Sequence, residues 1–357
     1  MRQAPVVSIC VPIYNGASYL RECLDSILAQ TFPDFEVLIV DDQSTDESYE
    51  IAQRYASRDP RFRVMRNQHN LGLVGNWNQC VLLARGEWIK FLFQDDLLEA
   101  KCLERMLSVC RPDTSIVACK RKVIYEEVSK DLQERFERYI GRYNMDRVFN
   151  NETNISPESF CRAVLDNWFC NFIGEPTVVL LRRSVFSRFG FFNSQLIQVC
   201  DFEHWIRVAS NTGIIYVPEF LASFRSHGKA ASMVNLNSRK FRMYLDELIC
   251  YHEFMFNPLY RPLRYCASQQ QPPFDLKQWF AMKVKEMYKI AWQASKDHSN
   301  PDPSFLSEFT EIASLFPGFR IIKKLPFSLR FGIYKWKLRN SLSSHLGLNN
   351  YSNASPD

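Results

Sequence analysis

Along the first 124 residues, short apolar runs alternate with stretches of helical period. Val6–Val11 predicts a strand, and Ala17–Ala29 a helix with Leu20, Leu24, Ile27 and Leu28 on one face. Phe35–Val40 predicts a second strand ending in Asp41-Asp42, after which Ser44 and Glu47 predict a capping box for a helix through Tyr55. A strand over Arg63–Arg66, a helix over Leu73–Ala84, a strand over Trp88–Phe93, a helix over Leu97–Cys110 and a strand over Ile116–Ile124 continue the alternation. That order predicts an α/β fold with a mostly parallel sheet and helices on both faces. Ligands of such sheets bind beyond the carboxyl ends of the strands. Tyr14-Asn15, Asp41-Asp42 and Asp95-Asp96 all fall there.

From Glu126 to Asn154 the chain is charged and aromatic, with Arg135, Arg138, Arg142 and Arg147 among acids, and reads as a solvated helix or lid. A second compact stretch follows. It holds a helix over Pro157–Asp166, a strand over Val178–Leu181, a helix over Phe202–Ala209 and strands over Ile214–Val217 and Leu221–Phe224. Beyond Asn235 the period is helical, broken by loops at Gln269-Gln270-Gln271-Pro272-Pro273 and Asn300-Pro301-Asp302-Pro303.

Composition narrows the class. With 357 residues, 46% of them hydrophobic, the chain has material for one large domain and additions. Met1–Pro5 carries no apolar core behind a basic start, and no run of about 18 apolar residues occurs, so neither a signal peptide nor a spanning helix is expected. Eleven cysteines, an odd number without a CxxC pair, suit buried thiols in a reducing, cytoplasmic compartment. The net charge of +5 comes from the tail: Ile312–Pro356 has seven Lys or Arg and no acid, and removing those seven leaves −2. Charge therefore gives no support to a nucleic-acid-binding body.

The two carboxylates that end the run Trp88–Phe93 need an explanation. Adjacent aspartates repel, and desolvation penalises both, unless a cation or a set of donors is near. A hard divalent ion such as Mn2+ or Mg2+ takes oxygen ligands, often one or two carboxylates with water and phosphate oxygens filling the other positions. Alternatively the pair opens the helix Leu97–Cys110, because helix N-termini favour acids.

Ser8-Ile9-Cys10-Val11-Pro12-Ile13-Tyr14-Asn15, Val40-Asp41-Asp42-Gln43-Ser44-Thr45-Asp46, Asn70-Leu71-Gly72 and Ala84-Arg85-Gly86-Glu87-Trp88-Ile89-Lys90-Phe91-Leu92-Phe93-Gln94-Asp95-Asp96 resemble, in order and spacing, the motifs of family 2 glycosyltransferases with the GT-A fold. The resemblance runs from about Val6 to His227. It implies a Rossmann-like GT-A domain over 1–235, with a nucleotide-binding half at 1–124 and an acceptor and catalytic half at 155–235, followed by a helical extension at 236–357. By the same resemblance Pro12, Tyr14 and Asn15 line the nucleotide, and Asp41 accepts from its base or ribose. Asp95 is implied as the direct metal ligand, with Asp96 on ribose or metal-bound water. Asp201 in Cys200-Asp201-Phe202-Glu203-His204-Trp205 aligns with the general base. Arg225 and His227 resemble the late Arg-x-His element, Arg225 towards the diphosphate and His227 towards the metal.

Each of these residues has a plainer reading. Tyr14 could pack in the core, Asp41, Ser44 and Asp46 could cap helices, and Lys90 could be a strand-edge lysine. Asp201 could cap its own helix, paired with His204 or Arg207. Three positions depart from the pattern of relatives: Phe93 where the first acid usually stands, Cys200 in place of an acid, and Trp77 in place of an arginine.

The resemblance implies an inverting, metal-dependent hexosyl- or N-acetylhexosaminyl-type transferase that uses a nucleotide-diphosphate sugar. Its expected acceptor is a saccharide or polyprenyl-linked glycan of cell-surface polysaccharide or glycolipid synthesis. A non-catalytic sugar-nucleotide-binding or scaffold protein of the same fold is the alternative. Between 320 and 340, bulky apolar residues interleave with cations, which suits peripheral contact with the inner face of the plasma membrane or packing on the domain.

Overall fold

A computed structural model describes residues 4–167, 170–230, 233–235, 240–296, 304–316 and 319. Three parallel strands begin the sheet, the first two fully buried and the third an edge strand: β1 (Val7–Ile13), flanked by helix α1 (Ala17–Leu28), β2 (Phe35–Asp41) with α2 (Ser48–Ala56), and β3 (Phe62–Arg66) with α3 (Gly72–Leu83). Continuous Val and Ile runs form these strands because helices cover both faces. β4 (Trp88–Phe91), a two-residue β5 (Leu97–Leu98), α4 (Cys102–Ser108) and a long β6 (Ile116–Tyr125) follow. Next come α5 (Lys130–Arg142), α6 (Met145–Val148), β7 (Asn154–Ile155), α7 (Pro157–Asp166), a 3-10 turn at Pro176–Val178, β8 (Val179–Arg182), α8 (Ser184–Phe189), α9 (Cys200–Thr212) and β9 (Ile214–Ser226).

The sheet order is β3-β2-β1-β4-β8-β6-β9-β5, with β7 beside β9. β8 lies antiparallel between β4 and β6, and β9 runs parallel to β6. The carboxyl ends of β1, β2, β3, β4, β6 and β9 therefore share one edge, and the turn that precedes β8 reaches the same edge. That geometry gathers the residues after Ile13, Asp41, Phe91, Tyr125 and Ser226.

Several elements differ from the pattern-based expectation. Leu97–Cys110 is not one helix: Leu97 and Leu98 pair with Ser223 and Ala222, Glu99 N–H donates to the Leu221 carbonyl, and α4 starts only at Cys102. Sheet pairing there outcompetes helix propensity. Asp95 and Asp96 thus do not open a helix. The two short strands expected over 214–224 are the single β9, whose register shifts opposite Lys120, two residues from Pro218, which has no N–H to donate. The Ser44–Glu47 capping box is absent. Asp46 instead accepts from the Ser48 N–H (3.0 Å), while the Ser44 hydroxyl accepts from the Asn15 N–H (3.0 Å). Over 126–154 the solvated segment contains α5, none of whose side chains is buried, started by Ser129 accepting from the Leu132 N–H (3.4 Å). All eleven cysteines carry unbridged thiols, nine of them buried.

The chain divides into two compact units. The first comprises Met1–Arg239 and Pro258–Phe274, so that the helix Arg261–Gln269 belongs with the sheet. The second comprises Lys240–Asn257 and Asp275–Asp357; its helices Lys240–Phe256, Leu276–Lys296 and Ser304–Leu315 bury Leu248, Phe280, Val284 and Phe309. Among the described residues no helix is long and apolar enough to cross a membrane. The basic segment 320–340 lies outside the described residues.

A buried polar knot closes the edge of the sheet opposite the gathered strand ends. The Ser8 hydroxyl donates to Glu36 (2.6 Å), Arg63 pairs with Glu36 (2.7 Å), and the N–H groups of Arg85 and Gly86 donate to Glu36 and to the Ser8 hydroxyl (both 2.8 Å). Burial opposes ionisation of Glu36, but the bonds from Ser8, Arg63 and Arg85 prevail and hold its carboxyl below the ordinary range. Gly86 must lack a side chain, since a Cβ would meet the Ser8 nitrogen at 2.4 Å. Gly86→Ala is expected to destabilise the chain by about 1–3 kcal/mol, read as a lower urea midpoint at unchanged m-value.

Candidate functional site

The loop after β1 is held from two sides. Gln94 clamps the Tyr14 backbone, accepting from its N–H (2.8 Å) and donating to its carbonyl (3.0 Å). Asn15 takes a left-handed φ of 49°, accepts from the Thr45 N–H through its side chain (2.8 Å) and so ties this loop to the one after β2. Pro12 is buried within β1, whereas the Tyr14 side chain is 48% exposed at the strand end, which rules out the core-packing reading. Asp41 is fully buried, accepts from the Ser44 N–H (3.2 and 3.3 Å) and pairs with Arg66 (3.0 Å). Asp42, which the sequence reading passed over, accepts from the N–H groups of Leu71 (2.8 Å) and Gly72 (2.9 Å) and from Asn67 (2.8 Å). It thereby folds the Asn70-Leu71-Gly72 motif over the end of β2. The doubled acid in Asp41-Asp42 was the available signal.

Asp95 and His227, 132 residues apart, meet at 2.9 Å between Oδ2 and Nε2. Asp96 has no exposed surface; its carboxylate accepts from the Thr177 hydroxyl and from the Arg225 backbone N–H (2.9 Å). Burial, with Asp95 beside it, raises this carboxyl well above the ordinary range. The Arg225 guanidinium, 4% exposed, donates to the Asp95 carbonyl (2.9 Å), pairs with Glu22 (2.6 Å) and Glu126, and lies 4.8 Å over the Tyr19 ring. Tyr19 also packs against His227 at 4.7 Å. Tyr19 and Glu22 on α1 and Glu126 after β6 carry no motif signal, and tertiary packing brings them here beside Thr177 of the turn before β8.

Asp201 sits in the first turn of α9, accepts from the Phe202 N–H (2.7 Å) and lies 3.5 Å from the Asn171 amide. Burial pushes its carboxyl up to about 7, with Glu175 adding to the rise and Arg121 opposing it. The expected pairing of Asp201 with His204 or Arg207 does not form. Arg207 instead donates to Glu203 (3.0 Å), to the carbonyls of Phe189 and Phe191 (both 2.8 Å), and contacts the His204 ring at 3.0 Å.

Two departures from the pattern of relatives turn out to be neighbours. Trp77 and Phe93 stack at 4.8 Å with 27° between their planes, and Phe91 and Phe192 extend the cluster. The third, Cys200, is buried. Lys90 is no strand-edge lysine: β4 lies inside the sheet, and the fully buried ammonium donates to the carbonyls of Thr177 and Val179 (3.4 Å to the latter).

Linked loops after β1 and β2, a carboxylate–imidazole pair beyond β4 and β9, and a carboxyl pushed up to about 7 at a helix start define an α/β protein whose polar site lies at the carboxyl edge of its sheet. The profile of Glycosyl transferase family 2 matches residues 8–168, and protein MT1568 of Mycobacterium tuberculosis is 32% identical over 243 residues, covering 68% of this chain and 73% of that protein. The chain belongs to glycosyl transferase family 2. It spans only 38% and 33% of the length of two other curated relatives. In fold it is similar to S. aureus TarS 1–349 in complex with UDP-GlcNAc (TM-score 0.56, 17% identity, 87% of this chain and 80% of that one). It is also similar to the mannosyltransferase PcManGT of Pyrobaculum calidifontis in complex with GDP-Man and Mn2+ (TM-score 0.53, 16% identity, 95% and 88%). The fold is therefore GT-A, as the motifs implied.

Replacing Thr177 by Val leaves the buried Asp96 oxygen without its hydroxyl donor. The expected loss is about 1–3 kcal/mol of stability in chemical denaturation, with Thr177→Ser near wild type.

Proposed function

We propose that the chain is an inverting glycosyltransferase that moves a sugar from a nucleotide-diphosphate donor to an acceptor hydroxyl. The contact of Asp95 with His227 at the shared strand edge carries this reading, because it joins an acid and an imidazole delivered by β4 and β9, two strands that are not neighbours in the sheet. The donor complexes of the two similar folds support the class of substrate.

The donor set fits a divalent cation. One carboxylate and one imidazole, held 2.9 Å apart, are of the types that suit Mn2+ or Mg2+, with phosphate oxygens and water completing the shell. Among the described residues no group of three or more such side chains gathers, so diphosphate and water would supply the rest. Bound there, the ion supplies charge to offset the departing diphosphate. Asp95 and His227 would hold it, with Asp96 tying the ends of β4 and β9 together through the Arg225 backbone N–H. Arg225 reaches the diphosphate only by exchanging Glu22 or Glu126, since its guanidinium is already neutralised by that pair. Tyr14 offers its exposed ring to the base, with Pro12, Asn15 and Asp41 shaping the loop around it.

Asp201 acts as the base. It takes the proton of the acceptor hydroxyl as that oxygen bonds to the anomeric carbon, while the bond from the same carbon to the diphosphate breaks and the nucleoside diphosphate departs. One attack from the opposite face inverts the centre. The acceptor is a saccharide or a polyprenyl-linked glycan of cell-surface polysaccharide or glycolipid synthesis. The basic aromatic segment 320–340 brings the chain to the inner membrane face.

Asp201→Asn is expected to lower kcat by about 10²–10⁴-fold while calorimetry shows undiminished binding of the nucleotide sugar. Full activity in that variant would remove Asp201 as the base, and metal-dependent binding without turnover in the wild type would favour a non-catalytic binding role. A carboxyl pushed up to about 7 holds its proton below that pH and cannot accept another. Turnover should therefore rise with pH through about 7, and Asp201→Glu should move the midpoint of the kcat profile. EDTA should abolish transfer, Mn2+ should restore it, and Asp95→Asn or His227→Ala should weaken Mn2+ binding, measured by calorimetry, by about 10-fold or more.

A further inference from the structure

A groove of about 760 Å³ lies between α7 and the helix Arg261–Gln269, and its lining includes none of the site residues described so far. Tyr265, 67% exposed, stands in its wall with Arg162 and the amides of Gln269, Gln270 and Gln271. At Asp166 the groove meets a second cavity of about 410 Å³, which continues past Asn167 to Cys170. Asn171, the next residue, reaches the Asp201 carboxylate at 3.5 Å and donates its N–H to the Tyr139 hydroxyl of α5 (3.1 Å). The two cavities thus share Asp166, and the second ends at Cys170, next in the chain to the Asn171 that contacts the carboxyl assigned as the base.

The chemistry of the groove is specific. An exposed tyrosine ring offers an apolar face with a polar tip, and primary amides offer paired donors and acceptors at fixed geometry. Sugar rings present the complement, C–H groups across a face and hydroxyls around the edge. A polyanion would fit worse: Arg162 is already paired with Glu158 (2.9 Å), and Arg142 and Arg147 share the second cavity with Asp166. Gln270 donates to Asp166 (3.2 Å), which links the loop to the end of α7. The volume lies within the range of small-ligand sites, with room for more than one sugar.

We propose that this groove binds the oligosaccharide portion of the acceptor, the sugars behind the one that receives the transfer. The proposal rests on the reading of Asp201 as the base of a glycosyl transfer. It makes the acceptor a chain of several sugars rather than a monosaccharide or a bare lipid, and it makes Tyr265 and Gln270 residues that set acceptor length.

The test uses the full chain on an array of bacterial surface-polysaccharide fragments of increasing length, with calorimetry of UDP-, GDP- and dTDP-sugars in parallel. Wild type should bind fragments of several sugars and not monosaccharides, and Tyr265→Ala should weaken that binding by about tenfold with nucleotide-sugar binding unchanged. Tyr265 is exposed, so this variant keeps the fold, which a thermal melt confirms, and Gln270→Ala serves as an independent second variant. Nucleotide-sugar binding with no fragment retained, or equal retention by wild type and both variants, overturns the groove and leaves the transferase reading standing. Fragment binding that depends on Tyr265 without any nucleotide-sugar binding overturns the transferase reading and keeps the groove as a glycan site.

Discussion

The site depends on one buried carboxylate. Asp96 joins three chain segments that have no reason in sequence to meet: the loop after β4, the 3-10 turn before β8, through Thr177, and the end of β9, through the Arg225 backbone. Removing a carboxylate from water is costly, and those two donors offset part of that cost only when all three segments are in place. Fixing Arg225 fixes His227 two residues later, and fixing the loop fixes Asp95 one residue earlier, so their contact follows from Asp96. Lys90 stiffens the same joint from the other side by holding the Thr177 carbonyl. An acid and a cation, both fully buried, thus share one turn without touching each other.

A second constraint replaces charge with packing. The resemblance implies an acid and an arginine at the places of Phe93 and Trp77, and here the two rings stack on each other within a cluster that includes Phe91 and Phe192. Either change alone would leave a charged partner facing an aromatic ring in a half-buried place; together they form a closed apolar contact beside Asp95. The stacked pair leaves the Asp95–His227 contact in place.

Much of the first half was legible because parallel strands covered on both faces are continuous apolar runs, and their ends are marked by the polar residues that follow. Tyr14-Asn15, Asp41-Asp42 and Asp95-Asp96 reached the same edge as expected. Local signals misled where a non-local partner was available. Leu98 has good helical spacing with Cys102 and Met106, yet β9 supplies a strand edge for Leu97 and Leu98. Ser44 and Glu47 have the spacing of a capping box, yet the Ser44 hydroxyl serves Asn15 from another loop. Lys90 looks like a strand-edge charge in sequence, and Asp96 like a ligand for ribose or metal-bound water, since no pattern along a strand reveals which polar side chain will find partners in the interior.

The sequence by itself determined the strand and helix alternation, the edge at which chemistry gathers and the residue types delivered there, because periodicity and strand-end polarity are properties of neighbours in the chain. Only the tertiary structure decided that Asp96 is a buried tie, that Arg225 spends its charge on Glu22 and Glu126, that burial pushes Asp201 up to about 7, and that Trp77 and Phe93 stack. Each of these depends on desolvation and on partners 16 to 203 positions away, distances over which a linear pattern carries no information.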